Sequence, residues 1–424
     1  MAIGYACITL GVYQTTLHRI MAKNVSEEKL REITKKNLEA LDKMIDFNRE
    51  NEILLFRISS DVIPFASHPL NTQRWWEEHQ EQFDKIGDKI AASGMRVSMH
   101  PGQYTILNSP HQEVVERAVE DLIYHERFLT ALKTDCSHKL ILHVGGIYGD
   151  KSAAANRFIY NYNRLSDAIK SRLVLENDER CYGIEEVYNI GKTVGAPVVF
   201  DVLHHHINPS QEERTVKEWI ELCSQTWGEK DGVPKIHYSQ QQLGGRVGAH
   251  SQTITIEEFL NFYISLKDMS IDIMLEVKDK NLSAIKCSYT VQPHKVLKKS
   301  LEKEWARYKY LVLSQSALIY QQMGQLMKMA PEDAVKTFYT LTEQAQVLPL
   351  DRGACQNAAL HIWGYFKKIC TESEKKNFHT KLERFAEGKI KHESIKKYLW
   401  KIAEKYEQTY LLESYYFIED KTQN

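Results

Sequence analysis

An excess of charge of either sign is missing from this chain: of its 424 residues, 55 are Lys or Arg and 56 are Asp or Glu, a formal net charge of −1. No overall field therefore draws it toward nucleic acid or a membrane surface, and a polyanionic partner has to be held by a local patch. Cysteine is scarce and scattered. The seven (Cys7, Cys136, Cys181, Cys223, Cys287, Cys355, Cys370) form no C-x-x-C and are odd in number, which argues against a disulfide framework and a zinc knuckle. No apolar run reaches the ~18 residues of a membrane-spanning helix, and the opening MAIGYACITL has no basic segment before its apolar stretch. Reduced thiols in a soluble, cytoplasmic protein without a membrane partner are the expectation. Internal repeats and low-complexity tracts are absent as well.

What the sequence does contain is alternation. Eight short apolar runs recur between charged stretches of helical period: IGYACITL (3–10), EILLFRIS (52–59), MRVSMH (95–100), KLILHVG (139–145), RLVLEN (172–177), PVVFDVLH (197–204), PKIHYS (234–239) and IDIMLEVK (271–278). Between the first two, Leu30, Ile33, Leu38, Leu41 and Ile45 line one face behind a Ser26 cap. Eight strand–helix units in some 280 residues predict an α/β fold, a (β/α)8 TIM barrel over residues 1–290, with a doubly wound open sheet as the structural alternative. From 278 to 309 nine Lys or Arg face three acidic residues. This basic stretch reads as a solvated linker, 291–304, or as a phosphate-binding surface. Residues 305–424 read as a smaller all-α C-terminal domain, broken at Pro331 and around 349–353.

The strand ends carry the chemistry. His100, His143, Glu176, Asp201 with His204, His237 and Glu276 stand at the C-terminal ends of six of the eight runs, and in a parallel barrel all such ends meet at one rim. Imidazoles and carboxylates gathered there are ligands for borderline divalent metals such as zinc, manganese or iron. Seven candidates, eight with His250, exceed the needs of one four-coordinate ion, so two or three ions are expected. Adjacent ions that bridge a phosphate and activate water suit phosphoester hydrolysis. A sugar isomerase, which also places two metals at a barrel rim, would be richer in carboxylates. In VFDVLHHHINP (199–209), Asp201 and His204 form a D-x-x-H pair in which one residue ends the strand and the other begins the loop. His205 and His206 are less securely placed at the site.

The segments RISSDVIPFASH (57–68), SMHPGQYTILNSP (98–110), LILHVGG (140–146), LVLEND (173–178), FDVLHHHINP (200–209), KIHYSQ (235–240) and GAHS (248–251) resemble, in order, the UV damage endonucleases. The H-P-G, L-E-N and D-x-x-H elements are shared with the abasic-site endonucleases of the endonuclease IV class. The resemblance implies a monomeric enzyme that nicks double-stranded DNA immediately 5′ to a pyrimidine photoproduct, leaving a 3′-hydroxyl and a 5′-phosphate. It implies as metal ligands His100, His143, Glu176, Asp201, His204, His237, His250 and Glu276, with Glu176 as a catalytic bridge between ions, Mn2+ before Zn2+ or Mg2+. It places His68 close to the scissile phosphate. Where the abasic-site class has an Asp two residues before the last His, this chain has Gly248, and Lys235 matches a lysine that can be carboxylated into an anionic ligand; a plain cation near phosphate is the alternative. Gln103 and Tyr104, helped by Tyr5, are expected to enter the duplex at the lesion. An abasic-site endonuclease and a non-catalytic damage-binding protein are the rival functions. The C-terminal third is similar to a small helical domain of unknown function through WARYKYLVLSQSALIYQQMGQL (305–326), HIWGYFKKI (361–369) and LLESYYF (411–417), and reads as a packing, oligomerisation or DNA-binding module.

Overall fold

All eight expected strands form, each shorter than its apolar run. In the computed structural model, which describes residues 1–418, they are β1 (Ile3–Cys7), β2 (Leu55–Ile58), β3 (Arg96–Met99), β4 (Leu140–His143), β5 (Leu173–Glu176), β6 (Val198–Asp201), β7 (Lys235–Tyr238) and β8 (Asp272–Leu275). Every pairing is parallel, and β1 pairs with both β2 and β8, closing the barrel in chain order. An open doubly wound sheet is thereby excluded. The connecting helices are set by local signals: Ser26 Oγ accepts from Lys29 N at the start of the helix Glu27–Glu50, and Leu30, Leu38, Leu41 and Ile45 are buried along it. Thr34 and Asn37, rather than Ile33, complete that buried face.

Period-two alternation sorts the barrel interior into layers. Two residues before the polar strand ends lie Ser98, Ile141, Val174, Val199, Lys235 and Met274. Ile141, Val174 and Val199 pack into one apolar cluster beneath the rim, while Met274 packs with Ala6 and Leu55. The rim therefore rests on a filled floor, and the site above it is open from one side only.

The chain divides into two compact units, residues 1–9 with 14–285, and residues 10–13 with the chain from 286 onward. The barrel unit thus ends at 285, inside the helix Asn281–Val291. The segment 291–304 is not an extended linker, since Lys298–Gln315 is one helix. Its basic character is also partly internal. Lys286 is buried against Glu343, and Arg307 is buried against Glu304, so the phosphate-binding surface expected over 278–309 loses two of its nine cations. Among the described residues the second unit's regular elements are all helices, with Pro331 opening one and Asp351 capping another through Ala354 N. Its core gathers Ile362, Phe366, Phe378, Leu399 and Leu411. Among the described residues no helix is long and apolar enough to cross a membrane.

Candidate metal centre

Glu176, the last residue of β5, is the centre of the rim. Its Oε1 lies 2.6 Å from His237 Nδ1, and its Oε2 lies 3.0 Å from His100 Nε2 and 3.5 Å from His143 Nε2. Three trios of ligand atoms share it: His100, His143 and Glu176; Glu176, Asp201 and His204; Glu176, His237 and Glu276, each trio spanning no more than 4.8 Å between atoms. His250 joins through Nε2, 3.7 Å from Glu276 Oε2. All eight sequence-expected ligands are thus brought together, although they come from six strand ends, one helical turn and one loop.

The ring orientations are held from outside the cluster. His100 Nδ1 donates to Pro101 O (2.9 Å), and His204 Nδ1 donates to Asn177 O (2.9 Å), which turns both Nε2 atoms toward the cluster. Asp201 Oδ1 caps the short helix Val202–Ile207 by accepting from His204 N (2.7 Å). Asp201 ends the strand as expected, but His204 lies in a helical turn and does not begin a loop, because the Asp carboxylate supplies an N-cap. That turn buries His205 against Phe200 and exposes His206, so neither reaches the cluster. His204→Ala is expected to lower bound metal and His206→Ala to leave it unchanged; elemental analysis of the two proteins checks this, and equal occupancy would contradict the placement.

The donor set suits divalent ions on a structural ground. Asp201 Oδ2 and His237 Nε2 are buried and have no hydrogen-bond partner among the described residues, whereas ~90% or more of buried polar groups are ordinarily paired. Two unused lone pairs in a ring of carboxylates and imidazoles mark positions for cations. The electrostatics agree. Burial alone would raise the pKa of Glu176, but His237, His143 and His100 hold it well below the usual carboxylate range. Burial likewise opposes ionisation of Glu276, which Arg57 and His237 hold well below that range. Burial opposes a charged His204, yet Asp201, Glu176 and Glu276 push it up to about 9. A cation entering the site has to displace that proton; it meets Glu176 and Glu276 held ionised, whereas burial raises the pKa of Asp201.

Four residues of this site carried no role in the sequence reading. Arg57, near the end of β2, is largely buried and paired with Glu276; its signal is a charge inside the apolar run LFRI. Asn177 bonds both ways to the next strand, Nδ2 to Asp201 O (3.0 Å) and Oδ1 from Asp201 N (2.8 Å). That explains the N of L-E-N as a clamp between two ligand-bearing strands. Glu179 Oε2 stands 3.7 Å from His204 Nε2. Asp121 braces two rim loops, accepting from Thr105 Oγ1 (2.6 Å) and Ser67 Oγ (2.9 Å).

The remaining expected residues separate. Lys235 is buried in the layer beneath the rim, Nζ 3.1 Å from Ser98 Oγ, and burial, with Arg96 and Arg57 nearby, lowers its pKa well below the usual lysine value. His68 is exposed, accepts from Leu70 N at Nδ1 (3.1 Å), and lines a cleft of about 370 Å3 together with Phe65, Ser60, Arg19 and Tyr104. Gln103 and Tyr104 are exposed at the tip of the loop after β3, Tyr104 at 64%. A Cβ at Gly102 would stand 2.4 Å from the exposed Tyr104 ring, so a larger residue there would shift that ring. Tyr5 does not share that surface. It is fully buried, its hydroxyl bonded to Thr9 Oγ1 (2.5 Å) and Asn48 Oδ1 (2.8 Å), because its position in β1 faces the helix Glu27–Glu50 while Ala6 faces inward. A lesion-contacting role for Tyr5 is therefore withdrawn.

A closed barrel of eight parallel strands with a buried carboxylate–imidazole group at its C-terminal rim defines the class, a (β/α)8-barrel enzyme whose site can hold divalent ions. Within that class the match is specific: the family model described as UV-endonuclease UvdE covers residues 3–304, and the chain belongs to that family. Residues 309–419 match a second family model, described as a protein of unknown function (DUF1722). The UV DNA damage endonuclease of Clostridium perfringens (strain 13 / Type A) is 39% identical over 390 residues, covering 88% of this chain and 93% of that relative. The UV DNA damage endonuclease of Bacillus pumilus (strain SAFR-032) is 32% identical over 268 residues, covering 63% and 83%. The crystal structure of SacUVDE is similar at a TM-score of 0.65 and 35% identity, over 70% of this chain and 100% of that one.

Proposed function

We propose that this chain is a metal-dependent DNA repair endonuclease that cuts double-stranded DNA immediately 5′ to UV photoproducts, leaving a 3′-hydroxyl and a 5′-phosphate, as a monomer in the cytoplasm. One observation carries the reading: in a member of the UV-endonuclease family, a single buried carboxylate, Glu176, is common to three ligand trios at the barrel rim. Two or three divalent ions held there, Mn2+ in this reading with Zn2+ or Mg2+ as alternatives, would supply charge stabilisation to the phosphate and a nucleophile from water at neutral pH. His100, His143, Asp201, His204, His237, His250 and Glu276 would hold them, together with Glu176, which is common to the three trios.

The chain's own groups do the rest. Arg57 fixes one oxygen of Glu276, and Asn177 fixes the ends of β5 and β6, so the ligand atoms are held before any substrate arrives. His68, whose Nδ1 is occupied by Leu70 N, offers Nε2 to a phosphate oxygen. Gln103 and Tyr104 enter the duplex where a photoproduct has weakened stacking. Lys235 sits one layer below the ions in a site that disfavours its ammonium form; carboxylated, it becomes an anion directed at the rim. Lys235→Ala then lowers bound metal, whereas unchanged metal with weaker DNA binding favours a plain cation. The function itself is tested on two duplexes, one with a single photoproduct and one with a single abasic site. Nicking next to the photoproduct is expected. Nicking of the abasic duplex alone would assign the chain to the rival enzyme, and binding without nicking in Mn2+ would assign it to damage binding.

A further inference from the structure

The loop between Tyr238 and His250 carries the least expected side chain of the barrel unit. Leu243 is 99% exposed and Val247 is 73% exposed, the two highest values among the exposed large apolar side chains of the barrel unit, and both follow the strand β7 that ends at the rim. An exposed leucine in a loose loop would mean little. This loop is built. Gln241 and His250 pair as an antiparallel bridge, Gln242 N donates to Ala249 O (2.7 Å), and Ser251 N donates to Gln240 O (2.8 Å). The side chain of Gln241 spans the loop, donating from Nε2 to Arg246 O (2.8 Å) and accepting at Oε1 from Gly248 N (2.9 Å). Lys278 Nζ holds Gln242 Oε1 (2.5 Å).

At the tip, Gly245 N donates to Gln242 O (3.0 Å), with Leu243 and Gly244 as the two corners of the turn and Gly244 at φ +68°. A positive φ at the second corner is the type II pattern that glycine permits. It leaves Leu243 at the first corner, directed away from the loop body. Arg246, on the same tip, is exposed and makes no ion pair with a described residue. The result is a braced arm ending in an apolar side chain beside a free cation, whose base is the bridge to the candidate ligand His250.

We propose that this loop is a DNA wedge: Leu243, backed by Val247, enters the base stack close to the scissile phosphate while Arg246 rests on the backbone. Proteins that kink or unstack DNA insert apolar side chains of this kind between base steps, with basic groups on the flanking phosphates. Reach fixes where it acts. Two residues of extended chain from the bridge span roughly 7 Å, and DNA advances about 3.4 Å per nucleotide along a strand. Leu243 therefore reaches roughly two base steps from the bridge that carries His250. The occupant is duplex DNA and not a protein partner, because the arm rises from the ligand-bearing segment and its tip carries the exposed cation Arg246, while the acidic Glu179 lies at the loop base beside Gly248. The proposal rests on the endonuclease reading of the rim.

The test uses the full chain and a photoproduct duplex with a non-cleavable linkage at the scissile position and 2-aminopurine within three steps of it. Wild-type protein is expected to raise 2-aminopurine fluorescence as the base unstacks. Leu243→Ala should lose most of that signal and bind the duplex roughly 10- to 100-fold more weakly, with unchanged metal content, and Leu243→Met should restore both. Wild-type fluorescence from Leu243→Ala would overturn the wedge, leaving the exposed leucine to another partner. Loss of signal together with loss of metal would also overturn it, making the loop a scaffold for His250. Failure of wild-type protein to nick an ordinary photoproduct duplex would instead overturn the endonuclease reading, which is visible without any variant.

Discussion

Glu176→Gln is expected to reduce nicking of a photoproduct duplex at least roughly hundredfold, about 3 kcal/mol of transition-state stabilisation. Gln keeps the volume and the buried position, so the barrel should fold. It loses the negative charge that all three ligand trios share, and a neutral amide is a poor bridge between cations. The expected signature is a fall in both bound metal and rate, with the circular-dichroism spectrum and unfolding midpoint close to wild type. A variant that kept more than about a tenth of the activity would show that no obligatory bridge stands at this position.

Replacing Gln103 and Tyr104 together by Ala should act on recognition and spare the chemistry. Neither residue belongs to a ligand trio, and both are exposed on a loop braced elsewhere, by Asp121 through Thr105. Metal content should stay full. A base stacked on an aromatic side chain is worth ~1–3 kcal/mol, so discrimination between damaged and undamaged duplex should fall by roughly one to two orders of magnitude. Non-specific affinity should change little, since it comes from phosphate contacts and follows salt. Paired binding curves at two salt concentrations decide the matter. If both affinities dropped together, or metal were lost, the loop would be part of the scaffold and not a probe.

The residues that were legible in the sequence are those whose position follows from topology alone. Once eight parallel strands close in order, every strand end is at one rim, so His143, Glu176 and Asp201 could be assembled without knowing a single distance. What escaped depended on side-chain direction or on partners far away in sequence. Tyr5 looked like a rim residue because it lies in a strand; both faces of a buried parallel strand are apolar, and the sequence does not say which face it takes. The role of Arg57 is not legible in the sequence because its partner, Glu276, is 219 residues away. The helical turn after Asp201 was hidden by a β-branched, apolar context that a carboxylate cap overrides. Asn177 shows the same limit from the other side: its motif was visible, while its work, tying β5 to β6, exists only in the pairing of their ends.

The central claim is that Glu176 and its surrounding imidazoles cut DNA next to a photoproduct by means of bound divalent ions. Stripping the protein with a chelator, confirming metal loss by elemental analysis, and adding Mn2+ back to a duplex with one mapped photoproduct tests it directly. The account predicts no nicking by the stripped protein, and restored nicking at the phosphate immediately 5′ to the lesion once Mn2+ returns. Full nicking by protein shown to be metal-free would contradict it.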